Sequence, residues 1–476
     1  MSDPKTIAVL GGGSAGLTAA RTACELGARV LFFMGERGAQ SSLCIERGCM
    51  PSKAMFEAID AMHRAKRHGW LDVKPRHPDA YLGQIVVWKN REIARFRAFR
   101  EEEIARLTTK DFQIIGRNGR FVGKNEIDDG RERHSFDAAI IATGSTNSIP
   151  KEVQVPVGPE GAWTNNEILA NTALPRSLAV IGAGPVALEF SLRYARLGCA
   201  VTIVSRSTLL GKFPPQFGER LQKIYEREGV RFLTGHSLVS LQREGAEQFR
   251  VITESRAREE TLTAERVLLA TGRHPELATL NLGALGLAPN SHGRLEIGCD
   301  MRVGDSRHIF AAGDVAGLRM VVHHAHIEAG IAAENAVKDG DRAWDRRSNI
   351  QIVFSDPEFA FAGQSRETAE QAGHKVASAR AESSDVGKLH LAGDDLGFGE
   401  FVADADDGRL LGAGLLCQGA SDLIHLPAYA IDHGHTVLQL VSGEYYHPTK
   451  IEIISEIGDT LCRQMGGAPF CRARES

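Results

Sequence analysis

Short apolar runs and glycine-rich turns follow one another in an order that occurs twice along this chain. Residues 6–10 are a continuous apolar run, the length of a buried strand. Gly11-Gly12-Gly13-Ser14-Ala15-Gly16 comes next, then an alanine-rich stretch at helical spacing to Gly27, then a second apolar run over 29–34. The succession returns at 178–181, with Gly182-Ala183-Gly184-Pro185-Val186-Ala187, a helical stretch to Gly198 and the run 200–204. Each copy predicts strand, tight turn, helix, strand. Between the copies, 54 to about 115 reads as helical, and the part to Pro150 alternates like strands, closing on Ala142-Thr143-Gly144. The section after the second copy closes on Ala270-Thr271-Gly272. Beyond about 349, the strand-like runs 351–354, 399–403 and 411–416 precede helical stretches at 420–431 and 436–441. That order predicts an α+β domain.

The chain has 476 residues, too many for one core, so several domains are expected. Hydrophobic residues make up 43% and charged residues 24%, as in an ordinary globular protein. A formal net charge of −4 gives no global basic field for nucleic acid. No apolar run is long enough to span a bilayer. The first strand follows Lys5 directly, leaving no room for a signal peptide. A cytoplasmic location, with neither membrane nor nucleic acid as partner, is the expectation.

The repeated loops carry dinucleotide chemistry. In each, the first glycine (Gly11, Gly182) permits the turn, the second (Gly13, Gly184) lets a pyrophosphate approach the backbone, and the third position (Gly16, Ala187) lets helix and strand pack closely. The helix N-terminus, at Ser14-Ala15 in one copy and Val186 in the other, then faces the phosphates. One such motif is weak evidence; each here follows a strand and opens a helix, which is the confirming context. A ribose-binding acid belongs about 20 residues on. Glu36 is the candidate in the first copy. In the second, the strand ends at Ser205-Arg206, where a neutral residue with an arginine favours a 2′-phosphate and hence NADPH. A solvated surface arginine is the plainer reading of Arg206 alone.

Of eight cysteines, six have no telling spacing. Cys44 and Cys49 differ. They sit in Cys44-Ile45-Glu46-Arg47-Gly48-Cys49-Met50-Pro51-Ser52-Lys53, directly after the first dinucleotide unit. Two thiols five apart near a helix start can close a small, exchangeable ring. A helix N-terminus and Lys53 would favour the thiolate. Two unrelated loop cysteines would share the spacing but not this placement. No cysteine or histidine pair has structural-zinc spacing.

These motifs, with Ala270–Arg273, Gly313-Asp314 and His447-Pro448-Thr449-Lys450-Ile451-Glu452, occur in the order of the flavoprotein disulfide reductases, which the chain resembles nearly end to end. Within that family it is most similar to the dihydrolipoamide dehydrogenases. The resemblance implies an α/β fold of two Rossmann-like domains, for FAD and NAD(P), with a C-terminal α+β dimerisation domain. The implied limits are 1–150 for the FAD domain, 151–275 for the NAD(P) domain, 276–346 for a segment completing the FAD domain and 347–476 for the interface domain. It implies Cys49 as the thiolate against the flavin and Cys44 as the interchange thiol. Lys53 would pair with Glu189 near the flavin ring. Thr143, Gly144, Gly313 and Asp314 would line the FAD site, and Gly272 belongs to the corresponding NAD(P) segment. His447, oriented by Glu452, would be the acid–base group, reaching the partner's thiols in an obligate homodimer. Imidazole suits thiol exchange because it titrates near neutral pH.

Several positions depart from the family pattern. Met34 stands where counting from Gly16 puts the ribose-binding acid. Ser42-Leu43 replaces Gly-Thr before the first cysteine. Glu46-Arg47 makes the inter-cysteine segment unusually charged, either to tune the thiols, to meet a partner or as a solvated pair. Pro185 leaves no flavin-covering tyrosine. Cys462 and Cys471 raise the question of a C-terminal thiol relay, though their spacing matches none. His323-His324-Ala325-His326 reads as part of a helix rather than a metal site. The expected function is electron transfer between a dihydrolipoyl dithiol, free or on a carrier protein, and NAD(P). The rivals are NADPH-dependent reduction of another disulfide or mercuric ion, and a flavin-binding scaffold without turnover.

Overall fold

The computed structural model describes residues 3–67, 78–245, 247–256 and 258–466. The chain divides into two units, Met1–Lys151 with Val157–Leu174 and Thr271–Asp345, and Glu152–Pro156 with Pro175–Ala270 and Arg346–Ser476.

The first unit is built on a five-stranded parallel sheet in the order Ile309–Ala311, Ala138–Ile141, Thr6–Leu10, Arg29–Phe33, Phe112–Ile115. Its strands are buried nearly throughout, which explains their continuous apolar runs. Helix α1, Ser14–Glu25, crosses from Thr6–Leu10 to Arg29–Phe33 and packs its alanine face on helix Val322–Lys338. Helices α2, Leu43–Arg47, α3, Cys49–Arg67, and α4, Pro78–Leu107, follow. The helical reading of 54–115 holds over 54–67 and 78–107, needs correcting at both ends, and over 68–77 lies outside the described residues. The α3 helix opens earlier, at Cys49. Residues 112–115 are a strand because Phe112, 1% exposed, fills the sheet edge beside Arg29–Phe33. The six-residue helix α5, Asn165–Ala170, carries a capping box from Thr164 and Glu167, satisfying its first amides.

The second unit repeats the theme. Its parallel sheet runs Arg231–Thr234, Ala200–Ser205, Ser177–Ile181, Arg266–Leu269, with an antiparallel meander of Ser237–Glu244, Gln248–Ser255 and Arg258–Ala264. Helix α6, Pro185–Leu197, starts on proline and ends on left-handed Gly198, as the two residues' backbone preferences dictate. Helix α7, Pro215–Arg227, follows. The rest of the unit is a five-stranded antiparallel sheet in the order Gln351–Val353, Glu358–Gly363, Leu410–Cys417, Phe398–Asp404, Val376–Glu382. Helix Glu452–Gln464 packs on two of these strands. The run 420–431 is two short helices, Ala420–Leu423 and His425–Asp432. The fold class is thus α/β, with two parallel sheets and an α+β portion. Among the described residues, no helix is long and apolar enough to cross a membrane.

Candidate active site

Four of the sequence motifs converge at the carboxyl edge of the first unit's sheet, where open α/β sheets bind ligands. Gly11 lies against the Ala142-Thr143 backbone: an added Cβ there would come within 2.2 Å of the Ala142 oxygen. At Gly16 an added Cβ would come closer still, within 1.7 Å of the Gly11 oxygen. Gly313 would meet the Ala15 Cβ at 2.8 Å. Its amide donates to the fully buried Glu328 (2.8 Å), which fixes the turn into Asp314. Ser14 and Ser42 hydroxyls approach to 3.5 Å, so the cysteine segment adjoins the glycine loop.

Gly13 differs from these tight glycines. A Cβ added there meets nothing within 4 Å. Gly13 caps α1 without a side-chain hydrogen bond, and no acid stands in the helix's first turn. The uncapped helix N-terminus and its dipole therefore fit a pyrophosphate. In the second unit Gly184 caps α6 in the same way: it too has open space, no side-chain cap and no acid in the first turn. Val186 is exposed there and Ala187 buried. Gly182 takes φ +122°, and Gly272 φ +101°. Ser205 is buried, with its hydroxyl donating to the Ser207 carbonyl, while Arg206 is exposed.

The strand Arg29–Phe33 ends before Met34, whose side chain is buried in the core. Gly35 then turns the chain at φ +74°, and Glu36 follows on the surface. The structure thus places the acidic candidate two residues later than counting from Gly16 suggests. Thr143 donates to the Glu276 carbonyl (2.6 Å), and Gly144 accepts from the Glu276 amide (3.0 Å). Asp314 accepts from Ser145 (2.5 Å), which in turn accepts from Arg273 (2.8 Å). Arg273 holds Asp314 through one hydroxyl, a link the spacing of 128 residues between Ser145 and Arg273 hides in the sequence.

Cys44 and Cys49 sit at two successive helix starts. Ser42, fully buried, caps α2 through the Ile45 amide; Cys49 opens α3 and is exposed. Gly48 between them folds back so closely that a Cβ would lie 2.9 Å from the Leu43 oxygen. The two sulfurs are neighbours. The adjoining Cys49 sulfur, then burial, push the Cys44 thiol well above its ordinary value, against the pull of the Met50 and Cys49 backbone amides. One further turn along α3, the Lys53 ammonium lies over the Phe56 ring at 5.3 Å.

Glu46 is not a solvated partner of Arg47. Its carboxylate takes two bonds from Arg97 of α4, at 2.8 and 2.6 Å. Arg100, one turn on and 7% exposed, donates to the Gly12 and Gly13 carbonyls at 2.6 and 2.9 Å. Burial pulls its guanidinium below the ordinary value, opposed by Glu103, Cys44 and Glu46. Both arginines were invisible in the sequence, where an Arg- and Glu-rich helix reads as a solvated one; the one signal is their three-residue spacing.

In the second unit Glu189 is 5% exposed, and its Oε1 accepts from the Phe354 amide at 3.1 Å. Arg193, one turn further on α6, donates to the Phe354 carbonyl. His447 is 76% exposed on its side chain, and its Nδ1 meets Glu452 Oε1 at 2.7 Å. The other Glu452 oxygen accepts from the Thr449 amide at 2.9 Å. Burial opposes ionisation of Glu452; His447 and the Thr449 amide outweigh it and hold the carboxyl below its ordinary value. Cys462 is buried in the core of its helix, and Cys471 lies outside the described residues. His324 is likewise core, stacked edge-on to Trp344 at 4.7 Å.

Two dinucleotide loops, a cysteine pair beside the first of them and a His–Glu pair in the α+β portion define a flavoprotein disulfide oxidoreductase. The chain belongs to the pyridine nucleotide-disulphide oxidoreductase family: residues 5–329 match that family, and residues 350–457 match its dimerisation domain. The family implies FAD and NAD(P), and the two open helix N-termini fit both. The chain is 30% identical over 467 residues to dihydrolipoyl dehydrogenase of Halobacterium salinarum, covering 95% of each. It is 32% identical over 474 residues to mercuric reductase of Shigella flexneri, covering 98% of this chain and 82% of the relative. In fold it is similar to LpdA of Mycobacterium tuberculosis, with TM-score 0.84 and 23% identity over 96% of this chain and 99% of that one. The HOCl-induced flavoprotein disulfide reductase RclA of Escherichia coli gives TM-score 0.82 at 22% identity, over 95% and 99%.

Proposed function

We propose that the chain is a homodimeric, dihydrolipoamide dehydrogenase-like enzyme that moves electrons between a dihydrolipoyl dithiol and NAD(P). The observation that carries this is the pair of neighbouring sulfurs, Cys44 and Cys49, on consecutive helix starts beside the FAD loop. One substrate sulfur bonds to Cys44 as the Cys44–Cys49 bond breaks. The second substrate thiol then closes the substrate disulfide and leaves Cys44 and Cys49 as a dithiol, which holds the two electrons. His447 takes the proton of the attacking thiol, and Glu452 orients the ring through its Nδ1. Bound FAD supplies the two-electron relay from this dithiol to NAD(P). Cys44, Cys49, Lys53, Glu189, His447 and Glu452 form the catalytic set, with His447 and Glu452 contributed across the homodimer. The matched dimerisation domain supports that assembly.

Arg206 after the buried Ser205 supports NADPH as the nicotinamide. It favours a second reading, in which NADPH drives reduction of another disulfide or of mercuric ion. The His447–Glu452 pair favours a dithiol over a metal ion, because a thiol must lose and regain a proton. The test is an anaerobic titration of the flavin-loaded protein with dihydrolipoamide. The expected result is a long-wavelength charge-transfer band, lost in Cys49→Ser. An unchanged oxidised spectrum, in protein that NADPH does bleach, would sink the lipoyl reading and leave the second.

A further inference from the structure

The five-residue helix α2 carries Cys44, and a helix so short has no stability of its own. Its orientation must come from what grips it. Two groups from distant parts of the first unit do so. Arg97 of α4 holds Glu46 with both carboxylate oxygens engaged, at 2.8 and 2.6 Å, and the Glu46 side chain is only 11% exposed. A two-point contact of this kind fixes rotation as well as distance. Asn165, at the start of α5, donates to the Arg47 carbonyl at 2.6 Å, which covers one of the last backbone oxygens of α2.

The two grips belong to one closed frame. Lys89 of α4, 5% exposed, donates to the Leu169 carbonyl near the end of α5 at 2.5 Å. The α4 helix therefore holds α2 directly through Arg97, and holds α5, which holds α2 again through Asn165. Arg100 fastens the same helix to Gly12 and Gly13. Cys49 lies on α3, outside α2. A rotation of α2 consequently moves Cys44 relative to both Cys49 and the glycine loop.

We propose that Arg97 and Asn165 are positioning residues that clamp the Cys44–Cys49 segment, with α4 setting the distance between the two sulfurs and their register on the dinucleotide loop. This rests on the reading of the cysteines as a redox pair. Neither residue touches substrate or the reacting atoms; each acts through α2.

The test uses the flavin-loaded full chain carrying Arg97→Gln, Glu46→Gln, the double substitution, Arg97→Lys and Asn165→Ala. Two quantities are read: the midpoint potential of the cysteine pair, by thiol labelling in dithiothreitol redox buffers, and the pH dependence of Cys44 alkylation by iodoacetamide after reduction. Flavin absorbance and circular dichroism report folding. The expected result is a change on the order of tenfold in the dithiol–disulfide equilibrium or the alkylation rate for Arg97→Gln and Glu46→Gln. The double variant should be no worse than either single one, Arg97→Lys should lie between, and Asn165→Ala should shift in the same direction. If Arg97→Gln loses its flavin, Arg97→Lys and Asn165→Ala carry the test. Folded variants with the potential and alkylation profile of the parent would overturn the clamp while the redox pair stands. A parent whose cysteines do not interconvert between dithiol and disulfide would overturn the functional reading, and the clamp with it.

Discussion

Asp129 has a side chain with no exposed surface, yet it is a charge. It is held by Arg117 at 2.5 Å, His134 at 3.1 Å and the amides of Arg131 and Glu132. Arg117 chiefly, against burial and with the amides and His134, keeps the carboxyl far below its ordinary 3.8. Removing a buried, fully bonded charge leaves its partners uncompensated, so Asp129→Ala should cost about 3 kcal/mol in chemical denaturation. The sign of the pH effect follows from the depressed value. The contribution is complete above the ordinary carboxylate value and is lost as pH falls through the folded one. The gap between parent and variant should therefore be widest near neutrality and narrow toward about pH 3. At the site, His447 and Glu452 are linked at 2.7 Å. His447→Gln should lower turnover by about 10²–10⁴-fold and remove a limb of the pH–rate profile, with dithiol binding changed far less. An unchanged profile would move the acid–base role elsewhere.

Helix α7 shows how elements join within the second unit. Phe217 stacks on Phe398 at 4.5 Å and meets Phe359 edge-on at 5.3 Å, with Phe213 against Phe359 and Phe361. Arg220, from the same helix, lies over the Phe398 ring and bonds Glu382. Gly414 belongs to this packing: a Cβ there would stand 2.4 Å from the Phe217 ring. Truncation leaves a hole in a close-packed cluster, so Phe217→Ala should lower stability by about 3–5 kcal/mol. The second unit's antiparallel and parallel sheets should then lose cooperativity in urea unfolding, two transitions replacing one. A single unshifted transition would show that the cluster does not couple them. The glycine-loop elements were legible because their signal is local, a strand, a turn and a helix in sequence. The strand 112–115 was not, because the four-residue run Phe112-Gln113-Ile114-Ile115, following a long helix, has no period that separates the two readings.

At the scale of the whole molecule, the functional reading depends on nicotinamide choice. Arg206 is exposed beside a Ser205 whose hydroxyl is already engaged within the loop. If the exposed guanidinium receives a 2′-phosphate, Arg206→Glu should lower kcat/KM for NADPH by about tenfold or more while leaving NADH nearly unchanged. Equal losses with both nucleotides would assign Arg206 to the loop's structure instead. The family match covers both the dinucleotide-binding region and the dimerisation domain, while the relatives at 30% and 32% identity differ in printed activity.

The local motifs, the two glycine loops, the cysteine pair, Gly313-Asp314 and His447 with Glu452, stood in the amino-acid sequence by itself. The glycine loops and the cysteine pair depend on a few adjacent residues whose backbone demands or spacing carry the chemistry; Gly313-Asp314 and His447 with Glu452 were legible only through the family resemblance. Tertiary structure alone decided what holds them. Arg97 reaches Glu46 across 51 residues and Asn165 reaches Arg47 across 118; Arg100 closes on Gly12 across 88. A surface arginine and a buried tether have the same one-letter identity, and only burial and the geometry of the opposing group separate them. The charged segment between the cysteines likewise became a clamp through where α4 runs.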